Sequence, residues 1–198
     1  MGEVLLKAEK IDKHFGITHA LDHVSITFNK GEIHALIGEN GSGKSTLTSC
    51  LTGIYKKDSG TFILDGKEVS AANQVDGNHQ GVAIIVQEIG TLSGLTVAEN
   101  IFLGNEDQFT KFGIKNTAAM NKKAQEYLDS YGFNYIDAAK TIDDYNFEDR
   151  KLIEIVKSTY FNPKVLVVDE TTTALGQKGR EELFKVMHKM RDMGSCVI

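Results

Sequence analysis

The sequence predicts an α/β fold with a mainly parallel sheet, an N-terminal antiparallel β subdomain and a helical lobe. Two runs, "GVAIIV" (81–86) and the start of "KVLVVDE" (164–170), are continuously apolar, as in parallel strands buried on both faces. Residues 3–30 alternate between apolar and polar instead, which is the period of a half-buried strand. Residues 90–160 read mostly as helix. The 198 residues are enough for one sizeable core.

The N-terminal elements follow from local pattern. The alternating segment, which includes "HVSITFNKGE", leads into a short apolar run, "IHALIG", which we interpret as a strand. The stretch "GTFILDGKEV" (60–69) predicts a β-hairpin, because Asp65-Gly66 is a preferred pair for a two-residue turn.

Helices are predicted in the second half of the chain from apolar positions at helical spacing. One helix ends near Gly132, and its apolar face is Met120, Ala124, Tyr127, Leu128 and Tyr131. Another ends at Gly194, and its apolar face is Leu183, Val186, Met187 and Met190. "SCVI" then begins a further strand, and the end of the sequence there suggests a domain that is cut short.

Bulk composition argues against several classes of protein. The net charge of −5 disfavours a general nucleic-acid-binding role. Two cysteines, Cys50 and Cys196, do not indicate a disulfide framework. No stretch approaches the ~20 apolar residues that a membrane-spanning helix needs.

A glycine-rich loop carries the strongest chemical signal. "GENGSGKST" (38–46) matches G-x-x-x-x-G-K-[ST], lies after an apolar run and precedes a helix, and so predicts a P-loop NTPase core. Backbone N–H groups of such a loop bind phosphate, Lys44 would reach the outer phosphates, and the Ser45 hydroxyl would ligate Mg²⁺. The alternative is a glycine-rich turn with a capping lysine. The candidate nucleotide-binding residues are Gly38, Glu39, Asn40, Gly41, Ser42, Gly43, Lys44, Ser45 and Thr46.

Two acids follow the second buried strand. Asp169 is placed to hold Mg²⁺, directly or through water, and Glu170 to orient or deprotonate an attacking water. The alternative is a pair of acids on a solvent-exposed loop.

With these motifs the chain resembles the ATP-binding subunits of ABC transporters, most closely the sugar importers of the ribose and galactose type. The stretches that carry the resemblance are "ALIGENGSGKSTLTSCLTGIYKKDSG", "VQEIGTLSGLTVAENIFLG" and "KVLVVDETTTAL". The resemblance implies one nucleotide-binding domain over residues 1–198, incomplete at its C-terminus, with a helical lobe at 90–160. It implies ATP and Mg²⁺ as ligands, and no nucleic acid.

The same resemblance implies several partners. These are membrane permease subunits and a second nucleotide-binding domain, from the same or a different chain. The sugar would be bound only by other subunits. The protein would be cytoplasmic and peripheral on the inner face of the cell membrane, held there through the permease.

Two more residues take roles from the resemblance. Gln87 matches a glutamine that touches Mg²⁺ and couples to the membrane subunit, although it could merely be a polar residue that closes a strand. Phe15, in "KHFGITHALDHVS", matches the aromatic residue on which adenine stacks, and its alternative is a core aromatic of the hairpin.

The family's L-S-G-G-Q signature, which binds the γ-phosphate of ATP held by the opposite subunit, is replaced here by "YNFED" (145–149). Asn146 followed by Asp149 predicts a helix N-terminus close to a capping box. Glu148 and Asp149 bring negative charge to this helix end, where they would satisfy the helix dipole locally and repel a triphosphate. Phe147 adds bulk where the family has glycine. We therefore interpret the signature as defective.

Other departures point the same way. Thr171 replaces an expected proline, Gly176 replaces the D-loop aspartate, and the switch histidine would lie beyond Ile198. None of the six histidines matches that position, and we interpret each as a surface or packing residue. Hydrolysis by this chain alone is expected to be slow.

The function that these observations favour is an energy-coupling ATPase subunit of a sugar importer. One alternative is a non-hydrolytic nucleotide-binding or regulatory half of an ABC assembly. Another is a non-transport ABC ATPase in translation or DNA repair, which the acidic charge and the lack of a long coiled-coil insert disfavour.

Overall fold

The computed structural model describes residues 2–86, 90–169 and 175–198, and it confirms the predicted α/β class. Two 3₁₀ turns, Glu106–Phe109 and Ile142–Asp144, accompany the main elements. In chain order these are β1 (Val4–Phe15), β2 (Thr18–Asn29), α1 (Lys44–Leu51), β3 (Ser59–Leu64), β4 (Lys67–Val69), α2 (Gln74–His79), β5 (Val82–Ile85), α3 (Val97–Ile101), β6 (Thr110–Lys111), β7 (Ile114–Lys115), α4 (Thr117–Ser130), α5 (Phe147–Thr159), β8 (Val165–Val168), α6 (Gln177–Asp192) and β9 (Cys196–Val197).

The described residues divide into two compact units. The first contains residues 2–85, 161–169 and 187–198, and the second contains residue 86 with 90–160 and 175–186. None of the helices in the described part of the chain has the length and apolar character that a membrane span requires.

The first unit contains an antiparallel sheet with the order β2-β1-β3-β4. Long strands β1 and β2 confirm the alternation seen in residues 3–30. The predicted hairpin at 60–69 is also confirmed, because β3 and β4 pair around Asp65 (φ 51°) and Gly66 (φ 75°). Two successive positive φ angles are what a two-residue type I′ turn needs.

A parallel sheet with the order β5-β8-β9 lies in the same unit and confirms both apolar runs as buried strands. The strand predicted in "IHALIG" is present only as a bridge from Ile33 to Val197. Two hydrogen bonds form it, from His34 N to Val197 O at 2.8 Å and from Val197 N to Glu32 O at 3.0 Å. Its partner, β9, forms a ladder over two residues only, so the pairing is short. The prediction of a full strand there was wrong.

The core of the first unit is formed by apolar side chains from the strands and α1. Both cysteines are free thiols within it, and burial raises the pKa of the Cys196 thiol to about 12 and also raises that of Cys50. Members of this core include Leu6, Ile11, Phe28, Leu47, Leu51, Phe62, Leu64, Val82, Val165 and Val167.

The second unit packs α3, α4 and α5 together. The predicted face of α4 is confirmed at Met120, Ala124 and Leu128, which are fully buried. The prediction that residues 90–160 are mostly helix was too simple, because β6 and β7 form a hairpin inside this segment. Phe112 (φ 53°) and Gly113 (φ 76°) form its turn, a conformation that a helix cannot accommodate.

Candidate functional site

The glycine loop leads into α1 through Gly43, which adopts the left-handed conformation (φ 86°) at the N-cap. A Cβ atom at this position would lie 2.6 Å from the carbonyl oxygen of Ala20, so the position requires glycine. Gly43 has no side chain with which to cap the helix, and the first turn of α1, "KST", carries no acid. The N-terminus of α1 therefore has the properties of an anion site.

The ammonium group of Lys44 lies against the backbone of the glycine loop. Its ammonium donates hydrogen bonds of 2.9 Å to the carbonyl oxygens of Gly38 and Glu39, and lies 3.5 Å from Ser42 Oγ. The cation and the helix dipole thus act at the same place in the chain. Of the remaining predicted loop residues, Asn40 and Gly41 are exposed and Thr46 lies in the first turn of α1.

Ser45 and Asp169 meet although 124 positions separate them. Ser45 Oγ donates to Asp169 Oδ1 at 3.3 Å, while Asp169 N donates to Ile85 O at 3.1 Å and so fixes the residue after β8 beside β5. Adjacent ligands of an octahedral Mg²⁺ ion lie about 2.9 Å apart, given bonds of about 2.0–2.1 Å. This pair of hard oxygen atoms therefore fits a Mg²⁺ ion.

Phe15 ends β1 and is 43% exposed, so it does not belong to the hairpin core. Its ring meets Tyr55 edge-on, with centroids 5.2 Å apart, and Lys13 Nζ lies 5.3 Å from its centroid. An exposed aromatic ring beside a cation offers a surface on which a base can stack.

Gln87 and Glu170, the predicted catalytic residues, lie outside the described residues. The positions on either side of Gln87 are held by a buried ion pair in α5. Lys151 donates to the carbonyl oxygen of Val86, and its Nζ lies 3.0 Å from Glu154 Oε2, which accepts from Gly90 N at 3.2 Å. The Lys151 side chain is fully buried and that of Glu154 nearly so. Lys151 and Glu154 thus bond to Val86 and Gly90, the described residues that flank positions 87–89.

Sequence reasoning missed this pair, although the signal was present. Lys151 and Glu154 lie within the apolar positions Leu152, Ile153, Ile155 and Val156 of α5, where a solvated charge has no place. Charged residues buried in a helix face are paired, because an unpaired buried charge costs several kcal/mol.

The segment predicted to replace the signature, "YNFED", leads into α5. Asn146 is the N-cap, and its Oδ1 accepts from Asp149 N at 2.9 Å, which confirms the predicted helix start. Both acids lie in the first turn of α5, as predicted, and their carboxylates accept hydrogen bonds from residues outside this helix. Glu148 Oε1 accepts from Gly179 N, in the first turn of α6, at 2.9 Å, and Asp149 Oδ1 accepts from the hydroxyl of Tyr135 at 3.0 Å.

The physical reason is that other partners compete for these carboxylates. The first N–H groups of α6 have no acceptor within their own helix. The Asn146 side chain already satisfies one N–H group of α5. Desolvation, and then the bond to Asp149, raises the pKa of the Tyr135 hydroxyl, which therefore remains a donor. Both charges still lie at the start of α5, where they disfavour an incoming anion.

Comparison with known proteins gives one family and a group of curated relatives. The family model described as "ABC transporter" matches residues 21–173. The ribose import ATP-binding protein RbsA of Clostridium perfringens (strain SM101 / Type A) is 39% identical over 200 residues, which is 100% of this chain and 40% of that protein. The galactofuranose transporter ATP-binding protein YtfR of Escherichia coli (strain K12) is 36% identical, over 98% of this chain and 38% of that protein. The chain thus spans about 40% of their length.

Solved structures agree with the predicted P-loop NTPase fold. A nucleotide-free ATP-binding cassette from an ABC transporter superposes with a TM-score of 0.82 at 28% identity, over 98% of this chain and 79% of that one. The ADP conformation of MJ1267, also an ATP-binding cassette of an ABC transporter, gives 0.80 at 28% identity over the same shares. The fold prediction is confirmed.

Proposed function

This chain belongs to the ABC transporter family, and from that premise we propose that it is the ATP-binding and ATP-hydrolysing part of an importer for a sugar. The resemblance to sugar-importer subunits is confirmed by relatives named for ribose and galactofuranose transport. The sugar itself would be bound by other subunits.

The observation that carries the proposal is the 3.3 Å approach of Ser45 Oγ to Asp169 Oδ1, beside the loop that holds Lys44. Ser45 and Asp169 would hold Mg²⁺, with Gln87 as a further ligand, and the loop from Gly38 to Thr46 would bind the phosphates. Bound Mg²⁺ supplies charge neutralisation on the phosphate oxygens.

The remaining roles belong to single side chains. Lys44 would reach the outer phosphates, and Phe15 would stack on adenine. Glu170 would take a proton from the attacking water. The Lys151–Glu154 pair would hold the segment that carries Gln87 in place, since it bonds to Val86 and Gly90.

The proposed assembly follows the family. The whole sequence would form one nucleotide-binding domain with residues 90–160 as its helical lobe. It would pair with a second such domain and attach to permease subunits at the inner face of the cell membrane. The compact second unit, which contains residues 90–160, supports the assignment of a separate lobe.

The finer part of the proposal is that "YNFED" does not complete the ATP site of a partner. Two carboxylates lie in the first turn of α5, and Glu148 is bonded to Gly179. Phe147 is half exposed, and by the resemblance it would stand where the family has glycine. This altered segment also favours a second candidate, a non-hydrolytic regulatory half.

The first experiment measures ATP binding, with and without Mg²⁺, and phosphate release by the purified chain. Binding should be lost in Lys44→Ala and retained in Lys123→Ala, a solvent-facing lysine of α4. Glu170→Gln should retain binding and lower turnover about 10²–10⁴-fold. Equal ATP binding by Lys44→Ala and the unchanged chain would refute the proposed site.

The second experiment uses the assembled transporter. Glu148→Gln with Asp149→Asn removes both charges but keeps the acceptor oxygens that Gly179 and Tyr135 use. Hydrolysis at the partner's site should rise if charge is what disables the signature. Unchanged hydrolysis would contradict the charge argument, and ATP binding without any turnover in the assembly would favour the regulatory half.

A further inference from the structure

Three histidines gather at one end of the β1–β2 hairpin. His14 and His19 are cross-strand partners, and their rings stack with centroids 3.9 Å apart and planes inclined by 13°. Asp12 lies two residues before His14 and therefore on the same face of β1. Asp12, His14 and His19 are up to seven positions apart in sequence, and the pairing of β1 with β2 brings them together.

The carboxylate of Asp12 is the centre of this group. Its Oδ1 lies 2.9 Å from His19 Nε2 and 3.3 Å from His14 Nδ1. Asp12 is 7% exposed, while both imidazole rings are open to solvent. Two ring nitrogens thus converge on one oxygen of a buried carboxylate, with free access from outside.

The pairing of β1 with β2 is irregular near Asp12, and this irregularity involves a third histidine, His23. Lys13 pairs with Leu21 and Ile11 with Val24, so Asp22 and His23 together face the single residue Asp12. This is the two-against-one count of a β-bulge, a feature that redirects a side chain.

The bulge places His23 beside the second oxygen of Asp12. His23 has a left-handed backbone (φ 47°), and its Nδ1 lies 3.2 Å from Asp12 Oδ2 and 2.8 Å from Asp22 Oδ1.

The geometry points to a transition-metal site in which Asp12, His14 and His19 bind a divalent ion, with Zn²⁺ as the best match. Ligand atoms of a tetrahedral Zn²⁺ lie about 3.3 Å apart, given bonds of about 2.0–2.1 Å. Both ring nitrogens approach Asp12 Oδ1 to within this distance, and all three ligand atoms lie within 4.8 Å of one another. Three protein ligands leave a fourth position for water.

His23 and Asp22 form an outer layer around this site. His23 contacts the oxygen of Asp12 that faces away from His14 and His19, and Asp22 in turn holds His23. Such chains of carboxylate and imidazole orient the ligands that touch a metal. We therefore assign His23 as a positioning residue.

The donor set separates this site from the proposed Mg²⁺ site. Imidazole nitrogens suit Zn²⁺, Cu²⁺ and Ni²⁺, whereas Mg²⁺ prefers oxygen ligands such as Ser45 and Asp169. The two sites therefore take different ions.

The test is a Zn²⁺ titration of the full chain after chelator treatment, without nucleotide, in competition with a chromogenic chelator. The unchanged chain should take up one equivalent. His14→Ala with His19→Ala should lose it, whereas His79→Ala with His188→Ala, two exposed histidines elsewhere, should retain it. His23→Ala should weaken binding by about 10–100-fold without abolishing it.

Co²⁺ in place of Zn²⁺ gives a second readout, because its visible absorption reports nitrogen ligation and tetrahedral geometry. Circular dichroism of each variant shows whether it is folded. Equal Zn²⁺ uptake by the unchanged chain and the folded His14/His19 variant would overturn the inference. So would an unchanged chain that takes up no Zn²⁺.

Discussion

The carboxylate of Glu148, in the first turn of α5, accepts a hydrogen bond of 2.9 Å from the N–H group of Gly179, in the first turn of α6. Gly176, which precedes α6, is where the sequence resemblance leads us to expect an aspartate, and the first turn of α6 carries no acid of its own. The negative charge at the start of α6 is therefore supplied from another helix. Glu148, in the segment that we propose replaces the signature, thus also stabilises the N-terminus of α6.

We expect Glu148→Ala to lower the free energy of unfolding by about 1 kcal/mol, the typical cost of a lost helix cap. Glu148→Gln keeps the oxygen that accepts from Gly179 and should cost less than half of that. Urea unfolding of the two variants measures the difference. Equal losses would mean that the charge, and not the hydrogen bond, carries the contribution.

Breaking the buried Lys151–Glu154 ion pair of α5 should lower the free energy of unfolding far more than loss of the Glu148–Gly179 hydrogen bond does. Lys151→Met alone leaves the Glu154 carboxylate without its cation and should lower the free energy of unfolding by about 3–5 kcal/mol. The double variant Lys151→Met with Glu154→Leu removes both charges and should recover part of the loss. Unfolding free energies of Lys151→Met, Glu154→Leu and the double variant give the coupling energy, and additive losses would contradict a coupled pair.

Gly43→Ala should lower the free energy of unfolding more than Gly41→Ala does. Both glycines have positive φ angles, 86° at Gly43 and 83° at Gly41. At Gly41 a Cβ atom meets no other atom within 4 Å, so only left-handed strain of about 1–2 kcal/mol applies. At Gly43 it would also meet Ala20 O at 2.6 Å and Leu21 Cδ2 at 2.9 Å. Chemical denaturation compares the two, and equal stability would argue against this packing.

Removal of one proposed metal ligand should separate the effect of Mg²⁺ from that of the phosphate loop. Ser45→Ala should bind ATP without Mg²⁺ as the unchanged chain does, but should lose the gain in affinity that Mg²⁺ gives. Ser42→Ala, a loop serine not assigned to the metal, serves as the control. Titration of ATP at fixed Mg²⁺ concentrations is the measurement, and a full Mg²⁺ effect in Ser45→Ala would exclude this ligand.

In the capping box of α3, the Thr96 N–H donates to the Glu99 carboxylate, and this contact should stabilise the protein most when Glu99 is ionised. The backbone N–H of Thr96, followed by Lys115, lowers the pKa of Glu99 below its ordinary value of 4.5. A lowered folded-state pKa stabilises the protein above pH 4.5, and this contribution is lost as pH falls through the folded-state value. The stability difference from Glu99→Gln should therefore shrink in acid. A difference independent of pH between 7 and 3 would contradict the role of charge.

Local elements were predictable because short-range rules determine them. The Asp65-Gly66 turn, the N-cap at Asn146 and the buried strands β5 and β8 all follow from neighbouring residue types. The β6–β7 hairpin was missed, because Phe112 supplies a left-handed residue that local preference does not favour.

Contacts across long separations in sequence were not predictable from pattern. The sequence motifs identified Ser45 and Asp169 as candidate Mg²⁺ ligands. Their 3.3 Å contact also depends on the pairing of β8 with β5, which no motif predicts. No local sequence preference predicts the hydrogen bond between Glu148 and Gly179. Asp12, His14 and His19 come together through the register of β1 with β2.

Helix α5 carries contacts to two other parts of the second unit, one through Glu148 and one through Glu154. Glu148 and Glu154 lie six residues apart, or about 9 Å along the helix axis. Glu148 accepts a hydrogen bond from Gly179 in the first turn of α6. Glu154 accepts one from Gly90, three residues after Gln87. A hydrogen-bonded helix is stiff over this length, so a tilt imposed at either end is carried to the other. Whatever its role toward a nucleotide, "YNFED" therefore begins a helix that connects the first turn of α6 with Gly90.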